Sequence, residues 1–283
     1  MDYNLRLLKA HRYSYNVAIL KSYGNVGYQL IQMNCVRNKG VECDTYTEKC
    51  TVNDTKLLNN ITRARSTVRQ YGLCNAWQYF VTLTFNQELV DRYNLPLLLQ
   101  KVSQWIRDYR KKYGFDILYV LIPEQHKDGA WHMHGFIMGL PAEHIKLFTL
   151  AEHLPDYIRK KLIGKELVYN WPAYADKFGH VTIEPIRSHE RAVNYILKYI
   201  NKDLERSVTT LGAHLFYASQ HLQKAQEIKR GTLTEQFPVD FENEYCKVTW
   251  FNSCDYNRNY LQDCIINPHN FTEVNSYDFA TSS

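Results

Sequence analysis

Residues 115–138 read FDILYVLIPEQHKDGAWHMHGFIM, and this stretch decides the fold. Phe115–Pro123 is a near-continuous apolar, β-branched run, and Trp131–Met138 is a second. Between them Lys127-Asp128-Gly129-Ala130 carries an Asp-Gly turn signal, so the two runs form an antiparallel hairpin. Alternate residues of a strand share a face. His132 and His134 therefore point one way and Met133 the other. Two imidazoles on one strand face make a bidentate clamp for a divalent metal. The hairpin register selects what faces the clamp. A two-residue loop, Asp128-Gly129, sets Gln125 opposite His132. A three-residue loop, Asp128–Ala130, sets Glu124 opposite His134 and His126 opposite His132. Glu124 is the preferred third ligand, because a carboxylate improves the site for a hard ion such as Mg²⁺ or Mn²⁺, and Gln125 is the runner-up.

Outward from the hairpin the pattern stays sharp. Trp77–Phe85 (WQYFVTLTF) is β-branched and aromatic and reads as a strand. Leu95–Tyr113 has apolar residues at helical spacing, with Asn94 as cap, Pro96 in the first turn and Gly114 as stop. Residues 141–166 read as one or two helices and His180–Ile186 as a strand. Ser188–Leu204 reads as a helix capped by Ser188, and Tyr245–Phe251 as a further strand. Ile61–Gly72 is a basic helix whose Arg63, Arg65 and Arg69 are candidates to face phosphate. This order predicts an α+β fold, a mostly antiparallel sheet with helices packed on one face. It also divides the chain into a basic accessory segment (1–60), a central domain (61–205) and a C-terminal extension with a polar tail (206–283).

Composition narrows the function classes. The chain has 283 residues, 45% hydrophobic and 22% charged, which is ordinary for a globular protein. No run approaches the ~18 apolar residues of a membrane span, and Val17–Leu20 is too short for a signal-peptide core. The seven cysteines include no Cys-x-x-Cys pair. Free thiols in a reducing bacterial cytoplasm fit better than a zinc site built from Cys35, Cys43, Cys50 and Cys74. The net charge of +5 is uneven, with eleven Lys and Arg against five Asp and Glu in residues 1–75. A basic N-terminal third suits a polyanionic partner, and the 22 tyrosines offer stacking surfaces for unpaired bases.

The second constellation is Tyr195-Ile196-Leu197-Lys198-Tyr199-Ile200-Asn201-Lys202. On a continuous helix Tyr195 and Tyr199 share a face, and Lys198 and Lys202 form a second such pair. Each lysine follows a tyrosine by three residues. A phenol with pKa near 10 is a poor nucleophile alone. A neighbouring cation, with a metal polarising the target phosphorus, would make it competent for phosphoryl transfer.

Taken together, Val81–Phe85, Trp131–Gly135 and Tyr195–Lys202 resemble, in order and spacing, the three motifs of the rolling-circle replication initiators of the HUH endonuclease superfamily. The branch is that of the filamentous-phage gene II proteins and microvirus replication-associated proteins, and the resemblance spans roughly residues 61–205. It implies a ferredoxin- or RRM-like core. His132, His134 and Glu124 would hold a divalent metal, Mg²⁺ or Mn²⁺. Tyr195 and Tyr199, supported by Lys198 and Lys202, would attack single-stranded origin DNA, leaving a 5′-phosphotyrosine link and a free 3′-OH primer, and would rejoin ends at termination. Thr82 and Thr84 of the first motif, with Arg63, Arg65 and Arg69, are the candidate DNA contacts. With no Gly-x-x-x-x-Gly-Lys-Ser/Thr in the chain, a host helicase and a host polymerase would complete the cycle. The alternatives are a relaxase or transposase of the same superfamily, or a non-catalytic single-stranded DNA-binding or regulatory protein on the same fold.

Overall fold

The computed structural model describes residues 11–12, 17–34, 38–39, 54–200, 214–243 and 246–266. In chain order its main elements are β1 (Val17–Ser22), β2 (Gly27–Met33), α1 (Asp54–Cys74), β3 (Tyr79–Thr84), α2 (Leu95–Tyr113), β4 (Leu118–Gln125), β5 (Trp131–Met138), α3 (Asp156–Ile163), α4 (Pro172–Phe178), β6 (Val181–Pro185), α5 (His189–Ile196), β7 (Gln226–Leu233), β8 (Cys246–Asn252) and α6 (Arg258–Asp263). Short two-residue strands lie between them.

The chain divides into two units, residues 1–51 with 224–283, and residues 52–223. The expected three-part division is corrected here. β1 and β2 pair with each other, and β1 pairs with β7 and β2 with β8. The segments before and after the central domain thus share one six-stranded sheet, closed over Leu20, Leu30, Phe251, Leu261 and Ile265.

In the unit of residues 52–223, β3-α2-β4-β5-α3/α4-β6 is a split βαβ repeat. Its strands run antiparallel in the spatial order β4-β5-β3-β6, which is the ferredoxin-like arrangement. The α+β class and the antiparallel sheet are as expected. The limits of α2 also match: the Asn94 side chain accepts from Leu97 N at 3.1 Å, and Gly114 takes the left-handed conformation with φ 75°. The placement of the helices is corrected, because they flank both faces. On the face carrying Leu83 and Met133, α2 contributes Leu98, Val102 and Ile106, all buried. The α4 rings of Tyr174 and Phe178 sit 6.4 and 6.5 Å from Phe85 on that side. On the opposite face, Gly72 of α1 meets Val193 of α5 and Phe136 of β5, and Tyr195 of α5 packs on Phe80 at 5.4 Å. One face therefore supports the sheet, while the other carries helices only at one end and stays open at the other.

Candidate active site

The hairpin between β4 and β5 turns at Lys127-Asp128-Gly129. His126 N donates to Ala130 O at 2.9 Å, Gly129 N donates to His126 O at 2.9 Å, and Gly129 has φ 85°. This is a three-residue loop closed by a left-handed glycine. Its register sets Glu124 opposite His132 and Gln125 opposite Trp131. Both expected registers are corrected. The loop begins one residue earlier than the expected three-residue loop, so pairing shifts by two positions. A shift of two keeps every side chain on its face, whereas a shift of one would reverse them. Glu124 thus stays on the histidine face and reaches His134 diagonally: Glu124 Oε2 and His134 Nε2 are 2.7 Å apart. Gln125 falls on the other face, where its Nε2 donates to Gly129 O at 3.0 Å.

A further imidazole joins the cluster. The His126 ring stacks on His132 with centroids 3.7 Å apart and planes 6° from parallel, and His126 Nε2 lies 3.7 Å from Glu124 Oε2. Burial, and then the neighbouring His126 and His134, push His132 down to about 4. The hydrogen bond with His134 holds the Glu124 carboxyl below the usual carboxylate range.

β3 supplies the ring orientation. Thr82 stands opposite His134 and Thr84 opposite His132. Thr82 Oγ1 is 3.2 Å from His134 Nδ1, and Thr84 Oγ1 is 3.1 Å from His132 Nδ1. Both threonines, expected at DNA, stand behind the histidines and also line the open cleft. With each Nδ1 occupied, the Nε2 atoms and the Glu124 carboxylate remain as a donor set of the kind that takes a hard or borderline divalent ion. Glu124 and His134 are hydrogen-bonded to each other as they stand, and among the described residues no three His, Cys, Asp or Glu side chains surround a common point.

The tyrosines come from α5 and the turn after it. α5 begins at the Ser188 cap, whose Oγ accepts from Arg191 N at 3.4 Å. It ends at Ile196, not at Leu204. Beyond it Lys198 N, Tyr199 N and Ile200 N donate three residues back, to Tyr195 O, Ile196 O and Leu197 O, which is a tightened 3₁₀ path. Arg65 explains this ending. Its guanidinium donates to Leu197 O and Ile200 O, both at 3.0 Å, satisfying carbonyls that a helix terminus leaves open. Arg65 is therefore committed to the tyrosine turn, while Arg63 and Arg69 have no partner among the described residues.

The turn lays Tyr199 flat on His134, with centroids 4.0 Å apart and planes at 8°. Tyr199 Oη donates to Tyr195 Oη at 2.9 Å. Tyr195 is 46% exposed, and Lys198 Nζ sits 5.4 Å from its ring centre. Burial first, and then the bond donated to Tyr195, push the Tyr199 hydroxyl well above its ordinary pKa. Tyr199 is therefore the donor of the pair and Tyr195 the acceptor. Lys202 and residues Cys35, Cys43 and Cys50 lie outside the described residues. Cys74, Cys246, Cys254 and Cys264 are in no disulfide. A cleft of about 830 Å³ runs from the histidines and Tyr195 along β6 to α3.

Sequence reasoning missed the role of Arg65 in closing the turn and the roles of Thr82 and Thr84 behind the histidines. The threonine signal was available: strand alternation puts Thr82 and Thr84 on one face, as it does the two histidines, but which strand lies beside β5 is set by topology.

Residues 78–204 match the replication-associated protein family of ORF2 and the gene II protein, whose members are rolling-circle replication initiators. The matched segment contains all three motifs. No curated protein and no solved structure matches the chain. No helix among the described residues is long and apolar enough to cross a membrane.

Proposed function

We propose that the matched segment is a nicking and joining enzyme acting on single-stranded origin DNA. One observation carries this reading: a phenol from the α5 turn lies flat on His134, inside a cluster of imidazoles and a carboxylate from β4 and β5. Core packing alone does not call for two exposed or half-exposed phenols hydrogen-bonded to each other beside three imidazoles. Glu124, His132 and His134 are the residues that would hold Mg²⁺ or Mn²⁺, which when bound would draw charge from a non-bridging phosphate oxygen.

In the reaction a tyrosine Oη bonds to phosphorus, the bond from phosphorus to the 3′ oxygen breaks, and the 5′ end stays on the enzyme as a phosphotyrosine. The 3′ oxygen leaves and takes up a proton, while the phenol loses one. Tyr195 acts first. It opens on the cleft, accepts the hydrogen bond from Tyr199, and has the Lys198 cation beside it. Tyr199 is the second nucleophile, for the attack that closes a round. The attack of a 3′-OH on the phosphotyrosine reverses the first step and rejoins the strand. Origin DNA is thus the substrate. A host helicase and polymerase are the partners this chemistry needs, in a bacterial cytoplasm.

The test is incubation with single-stranded origin-region oligonucleotides, with and without Mn²⁺, with covalent adducts mapped by mass spectrometry. Adducts on Tyr195 or Tyr199 that vanish with EDTA are expected. Tyr195→Phe and Tyr199→Phe should each retain single nicking, with Tyr195→Phe the slower, and the double variant should form no adduct. Full cleavage by the His132→Ala/His134→Ala double variant would sink the reading.

A further inference from the structure

The cleft extends well past the histidines, and its far wall has no role in the chemistry above. Phe80, Thr82 and Thr84 on β3 and Thr182 and Glu184 on β6 share the open face with His132 and His134. Two strand spacings, roughly 10 Å, separate β5 from β6, and α3 stands beyond. There Tyr157 lines the cleft and is 51% exposed, although its helix neighbour Ile158 is fully buried. A large aromatic ring left open to a cleft is not serving the core.

The charges around it are arranged for an anion. Glu184, on the cleft floor, is neutralised by Lys161, whose Nζ lies 2.6 Å from both carboxylate oxygens. Arg187 and Arg191 line the same cleft as Tyr157 and Tyr195, and neither guanidinium has a partner among the described residues. Glu166 is the one acidic side chain of the lining without a cation partner among the described residues, so two free cations stand against one free carboxylate.

We propose that Tyr157, Arg187 and Arg191 form a subsite for single-stranded DNA a few nucleotides from the scissile phosphate. A base stacks on the Tyr157 ring, and the two arginines hold the phosphates that lead to Tyr195. This rests on the nicking reading, and it adds a requirement: the strand enters unpaired along β6, because a base can stack on Tyr157 only when it is free of its partner. Stacking is indifferent to base identity, so the subsite grips the strand without reading it.

The test uses the full chain in EDTA and fluorescein-labelled oligo(dT), with the same oligonucleotide in a duplex as control. Tyr157→Ala should bind the single strand roughly tenfold more weakly, the loss expected for one unstacked base. Tyr157→Trp should bind at least as well as the parent. Arg187→Ala/Arg191→Ala should flatten the dependence of log affinity on log salt by roughly 1.4, for two phosphate contacts to a single strand. With Mn²⁺ and origin oligonucleotides, Tyr157→Ala should raise KM and leave the adduct rate at saturation unchanged. Unchanged affinity and KM in Tyr157→Ala, or an equal loss for duplex and single strand, would overturn the subsite. The two readings fail separately. Loss of affinity in Tyr157→Ala with no adduct in the parent keeps the subsite and removes nicking. Adducts in the parent with no effect of Tyr157→Ala do the reverse.

Discussion

In the metal site proposed above, the nitrogen of each imidazole that would face the ion is the one the threonine hydroxyls leave open. Thr82 and Thr84 engage Nδ1 of His134 and His132, which turns both Nε2 atoms to the same side as Glu124. Partners of this kind behind metal ligands typically contribute about 10- to 100-fold in metal affinity. Thr84→Val keeps the shape of the side chain and removes the hydroxyl. It should weaken Mn²⁺ binding about tenfold, read by calorimetric titration of the metal, and high Mn²⁺ should restore adduct formation by mass action. Thr84→Val with parental Mn²⁺ affinity would show that the ring is held by stacking on His126 instead. Glu124→Ala should likewise be partly rescued by Mn²⁺. Gln125→Ala, on the opposite face, should leave metal affinity unchanged.

Among the elements, the turn after α5 and the β4–β5 pair carry the geometry. Arg65 reaches from α1 to two carbonyls of the turn. A hydrogen bond to a charged group contributes about 1.5–3 kcal/mol, so Arg65→Ala should loosen the turn and slow single-turnover adduct formation at least tenfold while oligonucleotide affinity changes little. Arg65→Lys, lacking the planar fork, should recover only part of the rate. A loss of affinity with an unchanged rate would return Arg65 to the phosphate-binding residues. In the β4–β5 pair, a Cβ at Gly135 would overlap the Val120 carbonyl oxygen and crowd Leu121. Gly135→Ala must therefore push the two strands apart just beside His134. We expect it to destabilise the fold by more than the roughly 1–3 kcal/mol typical of overpacking, measured by urea unfolding, and to abolish metal binding.

At the scale of the whole molecule, residues 1–51 and 224–283 are one unit and residues 52–223 another. The basic N-terminal third is therefore no detachable arm, since β1 and β2 occupy the centre of a sheet whose outer strands come from the C-terminal segment. Removing residues 1–51 strips β7 and β8 of their inner partners, leaving each with only a two-residue outer strand, and exposes two unpaired strand edges, a recognised route to aggregation. That deletion should yield an aggregating chain, whereas residues 52–223 alone, with their own core and all the site residues, should unfold cooperatively and still form adducts. Light scattering and urea unfolding of the two fragments check this. A monomeric, well-behaved deletion of 1–51 would show that the first sheet does not depend on β1 and β2.

Local pattern located β3, α2, β4, β5, β6 and the start of α5; it did not show α4 (Pro172–Phe178), and it read residues 141–166 as helix where the α-helix covers only Asp156–Ile163. Strand alternation put His132 and His134 on one face, capping chemistry bracketed α2 between Asn94 and Gly114, and the spacing of Tyr195 and Tyr199 paired the phenols. These are local properties, written in consecutive residues. Three things were decided only by tertiary structure. The hairpin register depended on where Gly129 takes its positive φ, a choice among loops that differ by one residue. The partners of the histidines and of the tyrosine turn, Thr82, Thr84 and Arg65, lie 52, 48 and 132 residues away in sequence, and no local pattern encodes a contact at that range. The sheet of the first unit was hidden for the same reason. β1 is a four-residue apolar run followed by Lys21 and Ser22, and β7 is largely polar; each becomes a strand because its partner, from the other end of the chain, satisfies its backbone.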